Sequence, residues 1–330
     1  MKRLGRRRFL HLTASAAALP VLSRIARAQG YPSRPISIIV PFPAGGGTDT
    51  VARIIAEPMR VSLGRPVIIE NVAGANGSIG VGRVARAAPD GYSLSFGQWG
   101  THVVNGVAYA LDYDLVKDFE PISLISSGTF LVVARKNILA NDLKELLAWL
   151  KANPGKATVG NAGIGSPEHV GALLFQNSTG TSLRSVPYRG AAPAMQDLAA
   201  GHIDMIIVSA NVALPQVRAG AIKAFAVTAK NRLASAPDIP TVDEAGLPGF
   251  YVSVWGALFA PKGTPKEVIV KLNAALAQSL ADPNVRRRLA DLGGEIFPRE
   301  QQTPEALAAF QLAEIEKWWP ILKAANVKGE

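Results

Sequence analysis

The amino-acid sequence predicts an α/β protein with two lobes, each built on a mostly parallel sheet flanked by helices. The chain has 330 residues, of which 48% are hydrophobic, and this is enough for two domains of ordinary size with substantial cores. Short runs of β-branched residues alternate with segments of helical spacing, which is the pattern of a doubly wound sheet. The alternation occurs in two successive units, and the last part of the chain returns to the first unit.

The two crossings between the units set the expected domain bounds. We expect residues 29–124 and 254–330 to form the first lobe and residues 125–253 to form the second. A chain that crosses twice between two lobes leaves a cleft between them. Ligands of open α/β sheets bind beyond the carboxyl ends of the strands, so the loops after the strands are expected to face this cleft.

The first unit opens with a buried strand that turns sharply into a helix. The β-branched run of residues 36–40 leads through three glycines, at positions 45–47, into helical spacing. Pro58 lies inside this helix and is expected to kink or shorten it, because proline cannot donate to the carbonyl of Ile54. The remaining predicted elements of the unit are a strand at 66–71, a glycine-dense loop at 73–80 that enters a helix, and a strand at 92–97.

The second unit repeats this pattern. Asn141 or Asp142 is expected to cap its first helix. A second glycine-containing loop, residues 161–165, precedes a helix whose start is indicated by Ser166 as N-cap and Pro167 at the first helical position. The other predicted elements are strands at 130–134, 157–160, 183–187, 203–208 and 223–228 and a helix at 191–200.

The end of the chain returns to the first unit with one strand and two helices. The strand is predicted at residues 252–260. The pattern of Thr264, Pro265 and Glu267 predicts a capping box at the start of a helix. Thr303 followed by Pro304 predicts the start of the last helix.

The first 28 residues have the pattern of an export signal. A basic segment precedes an apolar run at residues 9–23, which is shorter than the roughly 20 residues that span a membrane. The Arg6–Leu10 segment resembles a twin-arginine signal, and Ala26-Arg27-Ala28 is a small-x-small cleavage site. We therefore expect a soluble protein of a bacterial periplasm that starts near Gln29.

The net charge does not indicate a nucleic-acid partner. The formal charge is +10, but seven of the 35 Lys and Arg residues lie in the first 28 positions, which leaves 28 basic against 25 acidic residues. The chain has no cysteine, which excludes disulfides, a lipid-modified cysteine and a cysteine nucleophile.

The two glycine-rich helix starts predict an anion site. The first N–H groups of a helix have no partner within the helix, and the helix dipole adds partial positive charge there. The glycines allow a ligand to approach the main chain closely. Such a site binds a carboxylate or a phosphate and needs no catalytic side chain. The same loops can also be simple strand-to-helix turns.

An exported, cofactor-dependent oxidoreductase is the alternative from another functional class. The first loop has two glycines of a dinucleotide fingerprint, and Glu70 lies where a ribose-binding acid would lie. Thr50 stands in place of the third glycine, however, and the sequence has neither a Walker A lysine nor a G-x-S-x-G elbow. We therefore expect no cofactor and no enzymatic activity.

Three polar residues leave more than one role open. His202 and Asp204 are too few to predict a metal site. His169 lies in the first turn after the second glycine loop, where it can donate to a ligand carboxylate or complete the helix cap. Asp49 can cap its helix, or it can hold a water or a ligand ammonium, although its charge competes with an anionic ligand for the helix dipole.

Six segments of the sequence resemble the Bug-type solute-binding receptors of tripartite tricarboxylate transporters. The resemblance covers essentially the whole chain after the leader. The segments that carry it are residues 40–49 (VPFPAGGGTD), 63–71 (LGRPVIIEN), 88–92 (APDGY), 186–194 (VPYRGAAPA), 239–246 (IPTVDEAG) and 260–265 (APKGTP).

The resemblance implies a two-lobed periplasmic binding protein of the type II kind. It also implies that the protein captures a small carboxylate and delivers it to a membrane permease, and that the loops at 42–49 and 161–166 hold the carboxylate. We expect a monomer with no nucleic-acid partner. The expected ligand-binding residues are Phe42, Ala44, Gly45, Gly46, Thr48, Asp49, Asn76, Gly77, Gln98, Thr101, Asn161, Gly163, Gly165, Ser166, His169 and Tyr188.

Three loops differ from the usual pattern of that family. Residues 72–77 replace a basic residue and a Pro-Gly-Ala-Gly-Gly run, and residues 208–211 replace a more acidic segment. Ser166-Pro167-Glu168 replaces a run rich in hydroxyl groups before His169. These loops face the expected ligand, so the differences bear on the identity of the ligand more than on the fold.

Overall fold

The computed structural model describes residues 30–324 and 327–328, and within them the strands form one mixed sheet. Its order is β2-β1-β3-β9-β4-β7-β5-β6, and two further strands, β8 and β10, also pair with β4. The strands are β1 (Ile36–Val40), β2 (Val67–Asn71), β3 (Ser93–Gln98), β4 (Phe119–Arg135), β5 (Thr158–Asn161), β6 (Arg184–Pro187), β7 (Met205–Ser209), β8 (Ile222–Val227), β9 (Ser253–Pro261) and β10 (Gly294–Ile296).

Helices cover the sheet in both halves of the described chain. They are α1 (Gly47–Leu63), α2 (Ser78–Ala85), α3 (Asn105–Ala108), α4 (Leu143–Ala152), α5 (Pro167–Thr179), α6 (Ala191–Ala200), α7 (Ala210–Arg218), α8 (Lys266–Ala281), α9 (Pro283–Asp291) and α10 (Pro304–Ala324). Single helical turns occur at Ala75–Gly77, Gly100–Val104 and Arg299–Gln301.

The 17-residue strand β4 connects the two lobes. Up to Thr129 it pairs with β9, and from Phe130 onward it pairs with β7 and β8. The chain returns directly into β9, so the outward and the return crossings lie side by side. The sequence predicted only residues 130–134 of β4, because Pro121 and the small polar residues that follow interrupt its apolar pattern, and the register of β4 against β9 shifts twice there.

The parallel pairs lie on the two sides of this connection. Strand β1 pairs in parallel with β2 and β3, and β5 pairs in parallel with β6 and β7. The strands next to β4 and β9 are antiparallel to them. In each lobe the parallel strands have their carboxyl ends at the same edge of the sheet. The loops after β1 and β3 therefore lie at one such edge in the first lobe, and those after β5 and β7 lie at one such edge in the second. The α/β class and the two-lobed architecture are confirmed, whereas the bounds near residues 124 and 254 stay a prediction.

Apolar clusters stabilise the lobes. In the first lobe, α2, β9 and α10 contribute to a cluster that includes Trp99, Trp255 and Phe259, and Val170 of α5 in the second lobe belongs to the same cluster. In the second lobe, one cluster around Phe175 covers one face of the sheet and another around Leu198 covers the other face. Burial of such side chains contributes roughly 1.5–3 kcal/mol each.

Most predicted helix starts are confirmed, and one predicted cap is wrong. Asp142 caps α4 by accepting the Glu145 N–H at 2.8 Å. Helix α1 runs through Pro58 to Leu63, so the proline does not shorten it, because the apolar stripe of the helix is buried and outweighs one missing hydrogen bond. The capping box at Thr264 does not form, since the hydroxyl donates instead to the carbonyl of Pro261 at 2.7 Å.

Candidate functional site

A cavity of about 640 Å³ is lined by residues from both lobes. Residues of the first lobe contribute the loop between β1 and α1, and residues of the second contribute the starts of α5, α6 and α7. Eight of the residues expected from the sequence line this cavity: Phe42, Ala44, Gly45, Gly46, Thr48, Asn76, Gln98 and Ser166. Eight others do not line it: Asp49, Gly77, Thr101, Asn161, Gly163, Gly165, His169 and Tyr188.

The start of α1 presents unused main-chain donors to the cavity. Gly46 is the N-cap, with φ −75° and ψ 170°, and no side chain caps the helix. Among the residues that the structure describes, the N–H groups of Gly46, Gly47 and Thr48 have no hydrogen-bond partner. Three adjacent N–H groups at a helix start form a ready anion site.

Asp49 supports this loop from behind. Its side chain is 4% exposed, and the residue does not line the cavity. The carboxylate accepts hydrogen bonds from Gly45 N at 2.9 Å, Arg53 Nε at 2.9 Å and Asn71 Nδ2 at 3.0 Å. Burial alone would raise the pKa of the Asp49 carboxyl, but these three donors outweigh burial and lower it. The ionised Asp49 carboxylate thus holds the loop in place, and both of its oxygens accept hydrogen bonds from the protein.

The start of α5 differs from that of α1 because its donors are already used. Ser166 caps the helix by accepting the His169 N–H at 3.2 Å, as the sequence predicts. The Gly165 N–H donates to His169 Nδ1 at 3.2 Å, and the Ser166 N–H donates to the Gly163 carbonyl at 3.1 Å. Burial lowers the pKa of His169, so its ring completes the helix start in the neutral form.

Glu168 occupies the second position of α5. Its side chain is 7% exposed, and the residue lines the cavity. Burial raises the pKa of the Glu168 carboxyl to about 7, against the opposing effect of hydrogen bonds from its own N–H and from the Ser166 hydroxyl. A carboxyl group thus lies at this helix start, where the sequence suggested donors for a ligand.

The starts of α6 and α7 also line the cavity; the family resemblance implied a ligand-facing loop at residues 208–211, before α7, but gave no such indication for α6. Helix α6 has Gly190 as its N-cap and α7 has Ser209, and no side chain caps either helix. Arg189 precedes α6 and also lines the cavity, and within the described chain it forms no ion pair. Arg189 and Gly190 belong to a segment that carried the family resemblance, but the sequence alone did not orient them toward the cleft.

The other expected residues support neighbouring loops. The Asn161 side chain donates to Ser185 Oγ at 2.8 Å and accepts the Gly163 N–H at 3.0 Å. The Thr101 hydroxyl accepts the Gln98 N–H at 3.1 Å. The Tyr188 hydroxyl donates to Asp197 at 2.7 Å, away from the cavity.

Side chains of the first lobe donate hydrogen bonds to the loop before α5 in the second lobe. Asn76 Nδ2 donates to the carbonyl of Gly165 at 3.2 Å, and it also donates to Asn105 Oδ1 at 2.9 Å. The Tyr109 hydroxyl donates to the carbonyl of Ile164 at 3.4 Å. Asn76 and Gly77 both have positive φ, at +47° and +88°. These bonds couple the second loop of the first lobe and the end of α3 to the loop before α5.

Two further kinds of functional feature are absent from the described residues. No group of three or more His, Cys, Asp or Glu side chains is placed to hold a metal ion. Across residues 30–324 and 327–328, helices that are both long and apolar enough to cross a membrane are absent.

Comparison with known proteins decides the family. The profile of the tripartite tricarboxylate transporter family receptors matches residues 51–327. The chain belongs to this receptor family.

Relatives with solved structures have the same fold over nearly the whole chain. The periplasmic binding protein BugD is 40% identical, with a TM-score of 0.83 over 90% of this chain and 100% of that structure. MatC from Rhodopseudomonas palustris, solved with bound malate, is 40% identical, with a TM-score of 0.82 over 88% and 100%. BugT of Bordetella pertussis is 34% identical over 303 residues, which are 91% of this chain and 92% of BugT. The role of this chain is that of a solute-binding receptor.

Proposed function

We propose that the protein captures a small organic carboxylate in the cavity between its lobes and delivers it to the membrane permease of a tripartite tricarboxylate-type transporter. The observation that carries this proposal is the uncapped start of α1, where the N–H groups of three cavity-lining residues have no partner within residues 30–324 and 327–328. The malate bound in the related MatC structure supports the same ligand chemistry.

The ligand carboxylate is held mainly by backbone in this proposal. Hydrogen bonds between N–H groups and a carboxylate contribute roughly 1.5–3 kcal/mol each. The starts of α6 and α7 provide further main-chain donors from the second lobe, and Arg189 adds a positive charge. Donors from both lobes favour the closed state when an anion is bound.

The proposal includes how the protein is processed and used. The export signal is removed after Ala28, and the mature chain works in the periplasm as a monomeric receptor without enzymatic activity. The leader lies outside the described residues, so its removal is tested directly by N-terminal sequencing of the periplasmic fraction. An intact leader in that fraction would contradict the proposed cleavage.

A ligand screen tests the central part of the proposal. The mature chain is heated in the presence of a panel of aliphatic and aromatic mono-, di- and tricarboxylates, and hits are confirmed by titration calorimetry. A ligand at about 100 times its Kd adds roughly 2.7 kcal/mol to the free energy of unfolding. We expect at least one carboxylate to raise the Tm and to compact the protein in X-ray scattering. A chain that binds no carboxylate of the panel contradicts the proposal.

A further inference from the structure

Glu168 is a buried acid that lines the cavity and has no cation as a partner among the residues that the structure describes. Its side chain is 7% exposed, and in the part of the chain that the structure describes no ion pair includes it. Its contacts are its own N–H and the Ser166 hydroxyl, which leave acceptor positions on the carboxylate unused. Buried carboxylates in proteins are rarely left without a positive partner.

Neither the arginine that lines the cavity nor the histidine next to Glu168 in the sequence is a positive partner for the Glu168 carboxylate. Arg189 lines the same cavity but lies beyond ion-pair distance from Glu168. His169 accepts the Gly165 N–H with its Nδ1 atom, and burial disfavours its protonated form. The missing positive charge therefore has to come from a proton or from a ligand.

The first lobe lacks the opposite partner, a hydrogen-bond acceptor with negative charge. Gly46, Gly47 and Thr48 offer N–H donors and partial positive charge to the same cavity, and these donors have no acceptor in the described part of the chain. A ligand that satisfies both sides carries a carboxylate for the start of α1 and a positively charged donor for the start of α5. An unsubstituted carboxylate satisfies only the first.

We propose that Glu168 pairs with an ammonium group of the ligand, so that the receptor selects amino carboxylates over the matching carboxylates without an amino group. This inference rests on the proposed function, since it assigns the second contact of the same ligand. Glu168 is then the specificity-determining residue of the cavity.

The test compares ligands that differ only in one substituent. Calorimetric titrations of the mature chain use the series succinate, malate and aspartate, the series glutarate and glutamate, and the series propionate, lactate and alanine. In at least one series the amino member is expected to bind at least tenfold more tightly than the unsubstituted member. Glu168→Gln, which keeps the shape of the side chain, is expected to reduce that ratio at least tenfold.

A matched control separates a local effect from a general effect of charge removal. Glu267→Gln makes the same change in the first turn of α8, at an exposed residue that does not line the cavity. It is expected to leave every ratio unchanged. If Glu267→Gln lowers the ratio as much as Glu168→Gln does, the assignment to Glu168 is wrong.

The outcomes distinguish this inference from the proposed function. If no carboxylate of any kind binds the parent chain, the proposed function fails. If carboxylates bind but the amino members have no advantage, or if the hydroxy members bind best, the ammonium pairing is wrong and the receptor function stands. The ratio measured on the parent chain decides this even if Glu168→Gln does not fold.

Discussion

The starts of α1 and α5 share a sequence pattern but offer opposite chemistry to the cavity. Both follow a strand and a glycine-containing loop. At α1 the carboxylate of the first turn, Asp49, lies behind the loop and leaves three N–H groups open. At α5 the first-turn residues Ser166 and His169 use the local donors, and Glu168 places a carboxyl group in the cavity. The side chains of the first turn thus decide the chemistry of a glycine-rich helix start. They either leave its N–H groups open to an anionic ligand, as at α1, or use those N–H groups and place a protein carboxyl group in the cavity, as at α5.

The largest effect on ligand affinity is expected when the start of α1 is given a carboxylate of its own, as the start of α5 has. Gly46 has the extended backbone of an N-cap residue, so the carboxylate introduced by Gly46→Asp accepts the N–H of Thr48 or Asp49. It then occupies the position that we assign to the ligand. We expect the affinity measured by calorimetry to fall about 100-fold or more, as the loss of two charge-assisted hydrogen bonds implies.

The control for this prediction is Gly46→Ala. The added Cβ has only the Pro43 carbonyl oxygen within 4 Å, at 3.5 Å, which is an ordinary contact. The alanine variant keeps the N–H groups and is expected to bind at least about tenfold more tightly than the aspartate variant. Equal affinities of the two variants would show that the start of α1 does not hold the ligand.

The second prediction concerns the charge at α5 and the pH dependence of stability. Burial raises the folded-state pKa of Glu168 to about 7, from an ordinary value of 4.5. This carboxyl therefore stabilises the fold below about pH 4.5, and the contribution is lost as pH rises through 7, by at most about 3 kcal/mol. We expect Glu168→Gln to have a higher Tm than the parent at pH 8.5 and no such advantage at pH 5.

Thermal scans of both chains without ligand, from pH 5 to 8.5, check this sign. Taking the difference between variant and parent removes the contribution of His169, which titrates in the same range in the unfolded chain. A Tm difference that does not change with pH would mean that Glu168 is ionised in the folded protein throughout this range.

The smallest effect is expected for the cap of α5. Ser166→Ala removes the acceptor of the His169 N–H and the hydroxyl donor to Glu168. Loss of an N-cap side chain costs about 1 kcal/mol of folding free energy. Urea unfolding monitored by circular dichroism should show this loss with an unchanged m-value. A variant as stable as its parent would show that the cap contributes nothing.

Local signals in the sequence predicted where both helices start. They did not predict whether the N–H groups at each start are used by the protein or stay open to a ligand. Glycines after β-branched runs located the loops, and Ser166 with Pro167 correctly indicated where α5 begins, because these signals depend on neighbouring residues only. Whether the N–H groups of α1 stay open depends on Asn71 and Arg53, which orient Asp49 behind the loop. These contacts depend on how α1 and β2 pack against each other, which the local sequence does not determine.

The missed parts of the cavity have the same explanation. The approach of α6 and α7 to α1 depends on the crossing of β4 between the lobes, which joins residues distant in sequence. Small polar residues in β4 hid its true length, so the position of the second lobe against the first could not be derived. Arg189 thus looked like an ordinary loop residue, and the resemblance placed Glu168 in a loop that faces the ligand without indicating that its carboxyl group is buried there.

One pair of variants tests most directly whether main-chain N–H groups of α1 hold the ligand. Gly46 has φ −75°, within the range of proline, so Gly46→Pro removes the N–H with little expected change in the backbone. Gly46→Ala adds a Cβ and keeps the N–H. With a carboxylate identified by the screen, calorimetry should show the proline variant binding about 10- to 100-fold more weakly than the alanine variant, because one charge-assisted hydrogen bond is lost. Equal affinities in two folded variants would contradict the account.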